Sequence, residues 1–465
     1  MKKFMDSNFL LQNSTAQDLY NHIKDLPIID YHCHLDPGAI ANNSRFRNIT
    51  ELWLGGDHYK WRLMRHNGVP ESHITGNAPD KDKFIAFCAT LEKAIGNPVF
   101  HWAHLEMSTY FGYDAPITEK GAAELFDICN SHIEKESFNV QNLLRDSKVE
   151  WLATTDDPAD TLEHHIKIKS TQNVPKVLPS YRPSNAMDIE KPTFTAYIAK
   201  LGNATNTTIT DWASLAASLE VSVNHFHSVG CRISDHALDP PVFNLKSTTA
   251  TADIAIKKAL QGQELTMDDI TGYKTQVMLL LGEQYAKRNW VMQLHMGAQR
   301  SNNTKMLKQI GPDTGFDSMS DMPISAPLNQ LLNALEEKDL LPRTILYALN
   351  PTADDMLVTT IGNFAGKGIK GRIQWGSAWW FNDTKTGMEK HLVTLANGGM
   401  LANFVGMLTD SRSFISYPRH EYFRRIMANQ LGKWVEDGEF PADMDLLRKI
   451  AADIAYYNVK EYFGQ

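Results

Sequence analysis

The sequence lacks the features that mark membrane-spanning and secreted proteins. No apolar run approaches the roughly 18 residues that a helix needs to cross a bilayer, and the first stretch, MKKFMDSNFLLQNS, has no apolar core and no small-residue cleavage site. The four cysteines (Cys33, Cys88, Cys129 and Cys231) are far apart and form no CxxC motif, so we expect neither a disulfide framework nor a zinc ribbon. These absences predict a protein of the reducing cytoplasm.

An excess of positive charge is also missing. The formal net charge is −8 and no basic face is apparent, which argues against nucleic acid or an anionic membrane as a partner. No glycine-rich phosphate loop follows an early strand, and no repeat of fixed period is found. The 465 residues are 43% apolar and 22% charged, which is typical of a globular protein with a large core. A small-molecule enzyme that forms homo-oligomers fits these properties.

Short apolar runs that end in polar residues, glycine or proline recur along the chain. Eight of them are found: LPII from Leu26, VEWLATTDDP from Val149, PKVLPSYRP from Pro175, VGCRISDH from Val229, NWVMQLHMG from Asn289, RTILYALNP from Arg343, GRIQWGSAWWF from Gly371 and NGGMLANFVGMLTDSR from Asn397. Helical patterns separate most of these runs, so they predict an α/β fold, a (β/α)8 TIM-type barrel formed by the single domain 1–465. The region of about 40–147 reads as a mostly helical insertion after the first strand that contributes to the active site, and 186–210 has no assignable pattern.

Two histidines separated by one residue follow the first predicted strand. Side chains alternate along a strand, so His32 and His34 face the same side and can bind one metal ion. Asp410 ends the eighth predicted strand, which neighbours the first once the barrel closes, and it completes a set of two histidines and one carboxylate. His295 is a candidate fourth ligand. Such nitrogen and oxygen sites suit Zn²⁺, Mn²⁺ or Fe²⁺, and the sequence does not distinguish these ions.

Arginines are the second signal at the predicted strand ends. Arg182, Arg300 and Arg412 all lie at or just past a strand in a protein of negative net charge. Because a guanidinium binds a carboxylate through two parallel hydrogen bonds, three of them near a metal predict an acidic substrate. Other polar or aromatic side chains at these ends are Thr155, Asp235, His236, Asn350, Trp379 and Trp380, whereas Asp156 and Asp157 are predicted to cap the next helix.

Several longer motifs resemble one family. The stretches DYHCHLDP, DHYKWRLMRHNGV, LPSYRP, QLHMGAQRSNN, GSAWWFND and LTDSRSF, spread from residue 30 to residue 415, are similar to those of the uronate (glucuronate) isomerases of the amidohydrolase superfamily. The resemblance implies metal binding by His32, His34 and Asp410 with His295 in or near the ligand shell, and substrate contacts by Arg182, Arg300 and Arg412. The pair Trp379 and Trp380 favours a sugar-like substrate, and Trp379 is a further candidate for binding it. The resemblance also places Tyr59 in the site as a proton-handling or hydrogen-bonding group, and Asp235 at a polar position of the fourth strand.

The resemblance also implies a reaction. Uronate isomerases interconvert D-glucuronate with D-fructuronate and D-galacturonate with D-tagaturonate by moving a proton between C2 and C1. Either Asp410 or a hydroxide on the metal can act as the base, and Arg412 would contribute to catalysis. No lysine stands at the end of the fourth strand, so a single divalent ion is expected, with Zn²⁺ preferred. The alternative is a hydrolase of the same superfamily in which metal-bound water attacks a small acidic substrate.

Overall fold

Parallel strands form the centre of this protein, for which a computed structural model describes residues 3–239, 241 and 243–464. Most of these strands are short and buried, as expected for parallel sheets, whose two faces are both covered by other parts of the chain. Their bounds are β1 Ile28–Asp30, β2 Val149–Ala153, β3 Lys176–Leu178, β4 Ser180–Tyr181, β5 Ile233–Leu238, β6 Val291–Met296, β7 Ala298–Gln299, β8 Ser318–Met319, β9 Arg343–Ala348 and β10 Ile373–Trp375.

The strands pair in chain order. One sheet has the order β1-β2-β3 and a second has the order β4-β5-β6-β9-β10, and all of these pairs are parallel. β3 and β4 are separated only by Pro179, which has no N–H to donate, so the two sheets follow one another along a single extended segment. An antiparallel pair, β7 with β8, lies outside both sheets. The expectation of an α/β fold with parallel strands is therefore confirmed.

The eighth predicted strand does not form as a regular strand. Residues 404–410 are not assigned to a strand, although they run beside the segment that follows β1. The Asp410 N–H donates to the His32 carbonyl at 3.1 Å, and the His34 N–H donates to the Ser411 carbonyl at 2.9 Å. The chain bends here because Asp410 has a left-handed backbone with φ +45° and Gly406 has φ +75°, which interrupts a strand ladder.

Helices surround the sheets and fill the region after β1. The helices of that region are α2 Pro37–Ala41, α3 Ile49–Leu54, α4 His58–His66, α5 Asp80–Leu91, α6 Pro98–Phe111, α7 Ala122–Ile133 and α8 Val140–Asp146. The others are α1 Ser14–Ile23, α9 Glu163–Lys169, α10 Ser184–Met187, α11 Phe194–Thr205, α12 Trp212–Val229, α13 Thr249–Leu260, α14 Met267–Lys287, α15 Thr304–Ile310, α16 Ser325–Glu336, α17 Asp354–Asn363, α18 Lys385–Gly398, α19 Pro418–Glu436, α20 Met444–Ala452 and α21 Asn458–Phe463. Among the described residues no helix is both long and apolar enough to cross a membrane.

Local capping chemistry explains where the helix of the DHYKWR motif begins. Asp57 has an extended backbone, and its side chain accepts hydrogen bonds from the N–H groups of Tyr59 and Lys60, so α4 starts at His58. Two predicted caps are wrong: Asp156 and Asp157 do not cap α9, whose preceding residue is Leu162. Asp156 is instead buried and accepts a hydrogen bond from Thr154 Oγ1 at 2.7 Å.

Buried polar side chains link the two sheets through the interior. Tyr347 on β9 donates to Gln293 on β6 at 2.8 Å, and the Gln293 amide lies 3.5 Å from the Tyr31 carbonyl just after β1. The Tyr31 hydroxyl donates to the Gly406 carbonyl at 3.0 Å. These contacts bring β1, β6, β9 and the segment 404–410 around one core, and their carboxyl ends meet on one side.

Candidate active site

A cleft of about 270 Å³ lies at the carboxyl ends of the parallel strands. It contains most of the residues that the strand-end pattern identifies. Its lining comprises His32, His34, His58, Thr155, Arg182, His295, Arg300, Asp313, Trp379, Trp380, Asp410 and Arg412. An adjoining cavity of about 230 Å³ shares His58, Asp410 and Arg412 with the cleft and adds Tyr59.

The two histidines near the start of the chain and the aspartate near its end meet in the cleft. His32 Nε2 lies 3.2 Å from Asp410 Oδ1, and His34 Nε2 lies 3.1 Å from the same oxygen. These three side chains form a group whose candidate ligand atoms all lie within 4.8 Å of one another. The alternation of side chains after β1 and the approach of segment 404–410 to that strand produce this arrangement from residues that are far apart in sequence.

This group fits a divalent metal ion. Ligand atoms bound at about 2.1 Å from one tetrahedral ion stand about 3.4 Å apart, close to the distances found here. Burial lowers the pKa of His34 to about 4, although Asp410 opposes the shift, so its ring is neutral near pH 7, as a metal ligand must be. The neighbouring imidazoles hold the pKa of Asp410 well below its usual range against the effect of burial. A carboxylate and a neutral imidazole are suitable ligands for Zn²⁺, Mn²⁺ or Fe²⁺.

The backbone holds Asp410 in an unusual conformation. Its φ of +45° lies in the left-handed region, which a residue with a Cβ adopts at a cost. The preceding residue is fixed from two sides, because Thr409 donates to Asp30 and the Arg419 guanidinium donates to the Thr409 carbonyl at 2.9 Å. Trp379 Nε1 donates to Asp410 Oδ2 at 3.0 Å, which leaves Oδ1 toward the imidazoles.

A fully buried carboxylate, Asp235, lies behind the cleft and contacts three of its lining residues. Its Oδ1 accepts from His295 Nδ1 at 2.8 Å, its Oδ2 accepts from Arg182 Nη1 at 2.7 Å, and Oδ2 also lies 4.0 Å from His32 Nδ1. Because Asp235 holds the proton on His295 Nδ1, the lone pair of His295 Nε2 points away from Asp235. This buried atom has no hydrogen-bond partner among the described residues. His32, Asp235 and His295 form a second group of possible ligands. His295 therefore lies beside the first group, and it is not within 4.8 Å of all its members.

The three predicted arginines all line the cleft but differ in their partners. Arg182 is paired with Asp235, and Arg300 Nε donates to Asp239 Oδ2 at 3.0 Å. Within the described part of the chain, no hydrogen bond or ion pair holds the guanidinium of Arg412. Arg412 is exposed and lines both the cleft and the adjoining cavity. It is therefore the arginine most available to a ligand.

Tyr59 lies in the adjoining cavity and not in the cleft lining. Its ring stacks on His58 at 4.7 Å between centroids, and the Arg419 guanidinium lies 5.5 Å from its ring centre. Burial, with the nearby Asp410 charge, raises the pKa of Tyr59 well above its usual value. The hydroxyl therefore keeps its proton at neutral pH and can donate a hydrogen bond.

Two lining residues, His58 and Asp313, were not among the residues predicted from the sequence. His58 is the first residue of α4, and its place beside Tyr59 in the DHYKWR motif is a signal that could have identified it. Asp313 lies in the turn after α15, and nothing in GPDTG indicates that it faces the cleft. Three of the polar residues at predicted strand ends are not in the lining of the cleft. Asp235 is buried behind it against His295 and Arg182, His236 is buried against Tyr285, and Asn350 caps a short 3₁₀ turn.

Comparisons with known proteins agree with this arrangement. The family model described as glucuronate isomerase matches residues 1–463. The uronate isomerase of Caldanaerobacter subterraneus subsp. tengcongensis is 52% identical, and that of Caldicellulosiruptor saccharolyticus is 49% identical, each over 100% of both chains. The crystal structure of the uronate isomerase from Thermotoga maritima has a TM-score of 0.94 at 36% identity and covers 99% of this chain and 100% of that one. This chain belongs to the glucuronate isomerase family.

Proposed function

We propose that this protein is an aldose–ketose isomerase that interconverts D-glucuronate with D-fructuronate and D-galacturonate with D-tagaturonate. The observation that carries the proposal is the convergence of His32, His34 and Asp410 in a cleft that also holds an uncommitted arginine, Arg412. The size and the polar lining of this cleft suit a six-carbon sugar acid. Membership of the glucuronate isomerase family supports the same conclusion.

The fold proposed for this function is a (β/α)8 barrel formed by the whole chain. Two parallel sheets that follow one another at Pro179, and the hydrogen bonds of segment 404–411 to the residues after β1, support closure. The helices α2–α8 would be an insertion of about residues 40–147 that supplies His58 and Tyr59 to the site. In a barrel of this kind the loops at the carboxyl ends of the strands hold the chemistry.

One divalent ion, with Zn²⁺ preferred over Mn²⁺ and Fe²⁺, would be held by His32, His34 and Asp410, with His295 nearby. Bound there, it would polarise the oxygens on C1 and C2 and stabilise the negative charge that develops when the C2 proton leaves. Asp235 would fix the orientation of His295 through Nδ1. The absence of a lysine at the end of β5 favours a single ion.

The arginines would recognise the acidic end of the substrate. Arg412 is the leading candidate for the carboxylate, because Arg182 and Arg300 are already paired with Asp235 and Asp239. A guanidinium without a protein partner can make two parallel hydrogen bonds to a carboxylate and gains the full interaction on binding. Arg182 and Arg300, which are held by Asp235 and Asp239, would donate hydrogen bonds to the hydroxyl groups of the sugar.

Proton transfer would be shared between two side chains. Asp410 would accept the proton from C2 and return it to C1 on the same face of the sugar chain. Tyr59, which keeps its own proton at neutral pH, would donate a hydrogen bond to the substrate oxygen on C1 or C2. The proton of the C2 hydroxyl would move to the oxygen on C1. The products of these transfers are a carbonyl at C2 and a CH₂OH group at C1, so atoms and charge balance without an external reductant.

A direct assay separates this proposal from a hydrolase that uses the same ligands. Purified protein is incubated with D-glucuronate, and D-fructuronate is followed through an NADH-linked reductase. Steady NADH consumption that requires both enzymes is the expected result. If the protein, supplied in turn with Zn²⁺, Mn²⁺ and Fe²⁺, turns over neither glucuronate nor galacturonate, the isomerase proposal is wrong.

Location and assembly are further proposals. The four cysteines are free and buried, which is compatible with a reducing cytoplasm. We expect a homo-oligomer in solution, and light scattering coupled to size-exclusion chromatography would measure its mass. A mass equal to one chain across the working concentration range would contradict that expectation.

A further inference from the structure

Residues 298–319 form a small unit that leaves the parallel sheet after β6, and we refer to them as the flap. β7 and β8 pair antiparallel at its base, with Ala298 opposite Met319 and Gln299 opposite Ser318. Between them lies α15, which has no buried residue. The flap therefore has little packing of its own, yet it supplies Arg300 and Asp313 to the lining of the cleft.

The position of Arg300 depends on that of the flap. Asp239 Oδ2 accepts from Arg300 Nε at 3.0 Å, and Asp239 Oδ1 accepts from the Ala298 N–H at 2.8 Å. Arg300 Nη1 lies 3.6 Å from Asp313 Oδ1, and its guanidinium lies 5.6 Å from the centre of the Trp380 ring. Arg300 therefore contacts Asp239 at the base of the flap and Asp313 in the turn after α15, and a shift of either residue would move it.

Two arginines of α4 bind the part of the flap that follows α15, residues 314–317. Arg62 Nη1 donates to the carbonyl of Asp317 at 2.6 Å and to that of Gly315 at 3.3 Å. Arg65 Nη1 donates to the carbonyl of Thr314, and its guanidinium lies 4.4 Å from the Phe316 ring centre. Because the two guanidinium groups bind backbone carbonyls, they fix the path of this turn independently of its side chains.

Arg65 is itself fixed in place. Its Nε donates to Glu71 Oε2 and its Nη2 donates to Glu71 Oε1, both at 2.8 Å. A fork of this kind holds a guanidinium rigidly, since two parallel bonds define its plane. The remaining nitrogen of the guanidinium, Nη1, binds the carbonyl of Thr314 in the flap.

Gly315 allows the flap to approach α4 closely. It has φ +95°, and a Cβ at this position would lie 3.1 Å from Arg65 Nη1 and 3.1 Å from the His58 carbonyl. A larger residue would strain the backbone and push the turn away from α4. The flap is therefore seated on the same helical turn that carries His58 and Tyr59.

We propose that Arg62 and Arg65 are positioning residues that set the affinity for the sugar acid by holding the flap on α4. They do not line the cleft, and they act through Arg300 and Asp313, which do. The role rests on the proposed uronate isomerase function for the identity of the ligand, but the docking of the flap does not. The two parts can be tested separately.

Limited trypsin digestion without ligand tests the docking. Lys305 and Lys308 lie exposed on α15, and mass spectrometry identifies the first cleavage there. In Arg62→Met we expect cleavage at these lysines to be about 10-fold faster than in the wild type, since local opening governs proteolysis. The control is Arg47→Met, because Arg47 lies on the surface of the same helical region and pairs with Asp80. Equal cleavage rates in Arg62→Met and wild type would overturn the proposal.

Steady-state kinetics with D-glucuronate tests the path through Arg300. Arg62→Met should raise KM about 5- to 10-fold with kcat within twofold, and Arg62→Lys should recover part of this loss. Because Arg62 acts through Arg300, the double variant Arg62→Met/Arg300→Met should have the KM of Arg300→Met alone. Independent multiplication of the two effects, or a fall in kcat without a change in KM, contradicts the proposed role.

A second variant covers the case in which Arg62→Met does not fold. Gly315→Ala displaces the same turn from the other side of the contact, and it should reproduce both the faster cleavage and the higher KM. Absence of turnover in the wild type would disprove the proposed function, and the digestion would still decide whether the flap is docked.

Discussion

Asp30 receives two hydrogen bonds from Thr409, one from the backbone N–H at 2.8 Å and one from Oγ1 at 2.6 Å. Asp30 ends β1, and Thr409 directly precedes Asp410, so this contact joins the start of the chain to the residue that meets the histidines. Both side chains are buried. The pair fixes the backbone on which the left-handed conformation of Asp410 depends.

Thr409→Val should therefore impair the metal site without removing a ligand. Valine has the same shape but cannot donate to Asp30, and the loss of an outer partner typically weakens metal binding or activity about 10- to 100-fold. We expect the metal dissociation constant, measured by competition with a chelator, to rise by about 10-fold. Thr409→Ser is the control, since it retains the hydroxyl. Wild-type metal affinity in Thr409→Val would show that Asp410 needs no such support.

Arg412→Met should weaken substrate binding and slow turnover together. The guanidinium is expected to bind the charged substrate both in the ground state and in the transition state, so kcat/KM should fall by about 100-fold or more. Arg145→Met provides a matched control, because Arg145 is an exposed arginine on α8 that does not line the cleft. Kinetics on both uronates that match the wild type would show that Arg412 is not a substrate contact.

Trp379→Phe tests whether the indole N–H has a role beyond contact with the sugar. Phenylalanine keeps an aromatic ring but removes the hydrogen bond to Asp410 Oδ2. If that bond orients the carboxylate, kcat should fall by about 10-fold while KM changes by less than about threefold. A higher KM with an unchanged kcat would identify Trp379 as a substrate-stacking residue only.

The buried carboxyl of Asp156 makes stability depend on pH. Burial raises its pKa to about 7, although hydrogen bonds from Thr154 and the Ser180 N–H oppose the shift. The folded state therefore retains a proton that the unfolded chain loses near pH 4, so this contribution to the free energy of unfolding falls as pH rises from about 4 to about 7. Above about pH 7 the carboxyl is ionised in both states and the dependence ends.

Denaturant unfolding of wild type and Asp156→Asn at pH 5, 6, 7 and 8 measures this effect. Asparagine stays neutral and has nearly the same shape, so the variant should gain stability relative to wild type as pH rises. The difference should become constant above about pH 7. A difference that does not change from pH 5 to pH 8 would mean that Asp156 is ionised throughout.

The sequence allowed prediction of the parts of the site that depend on strand periodicity and order. His32 and His34 face one side because they alternate after a short strand, and Asp410 reaches them because the last segment lies beside the first. The left-handed bend at Asp410 was not predictable, since it follows from contacts with Asp30 and Arg419 that are remote in sequence. It also explains why residues 404–410 do not form the expected regular strand.

The parts that sequence could not provide arise from tertiary contacts between loops. Asp313 lines the cleft from a turn whose backbone carbonyls accept hydrogen bonds from Arg62 and Arg65 of α4. Asp235 pairs with Arg182 and Asp239 pairs with Arg300, which leaves the guanidinium of Arg412 available to a ligand. These pairings depend on distances between strand ends, which the sequence does not give. The segment 186–210, which had no clear pattern, contains all of α11 and the end of α10.

We expect one metal ion, bound by His32, His34 and Asp410, to be required for uronate isomerisation. Protein stripped with a chelator and titrated with Zn²⁺ or Mn²⁺ while D-glucuronate turnover is followed tests it most directly. We expect activity to be lost on stripping, to rise linearly with added metal and to stop rising at one equivalent per chain. Full activity in the stripped protein, or a rise that continues to two equivalents, would contradict the claim.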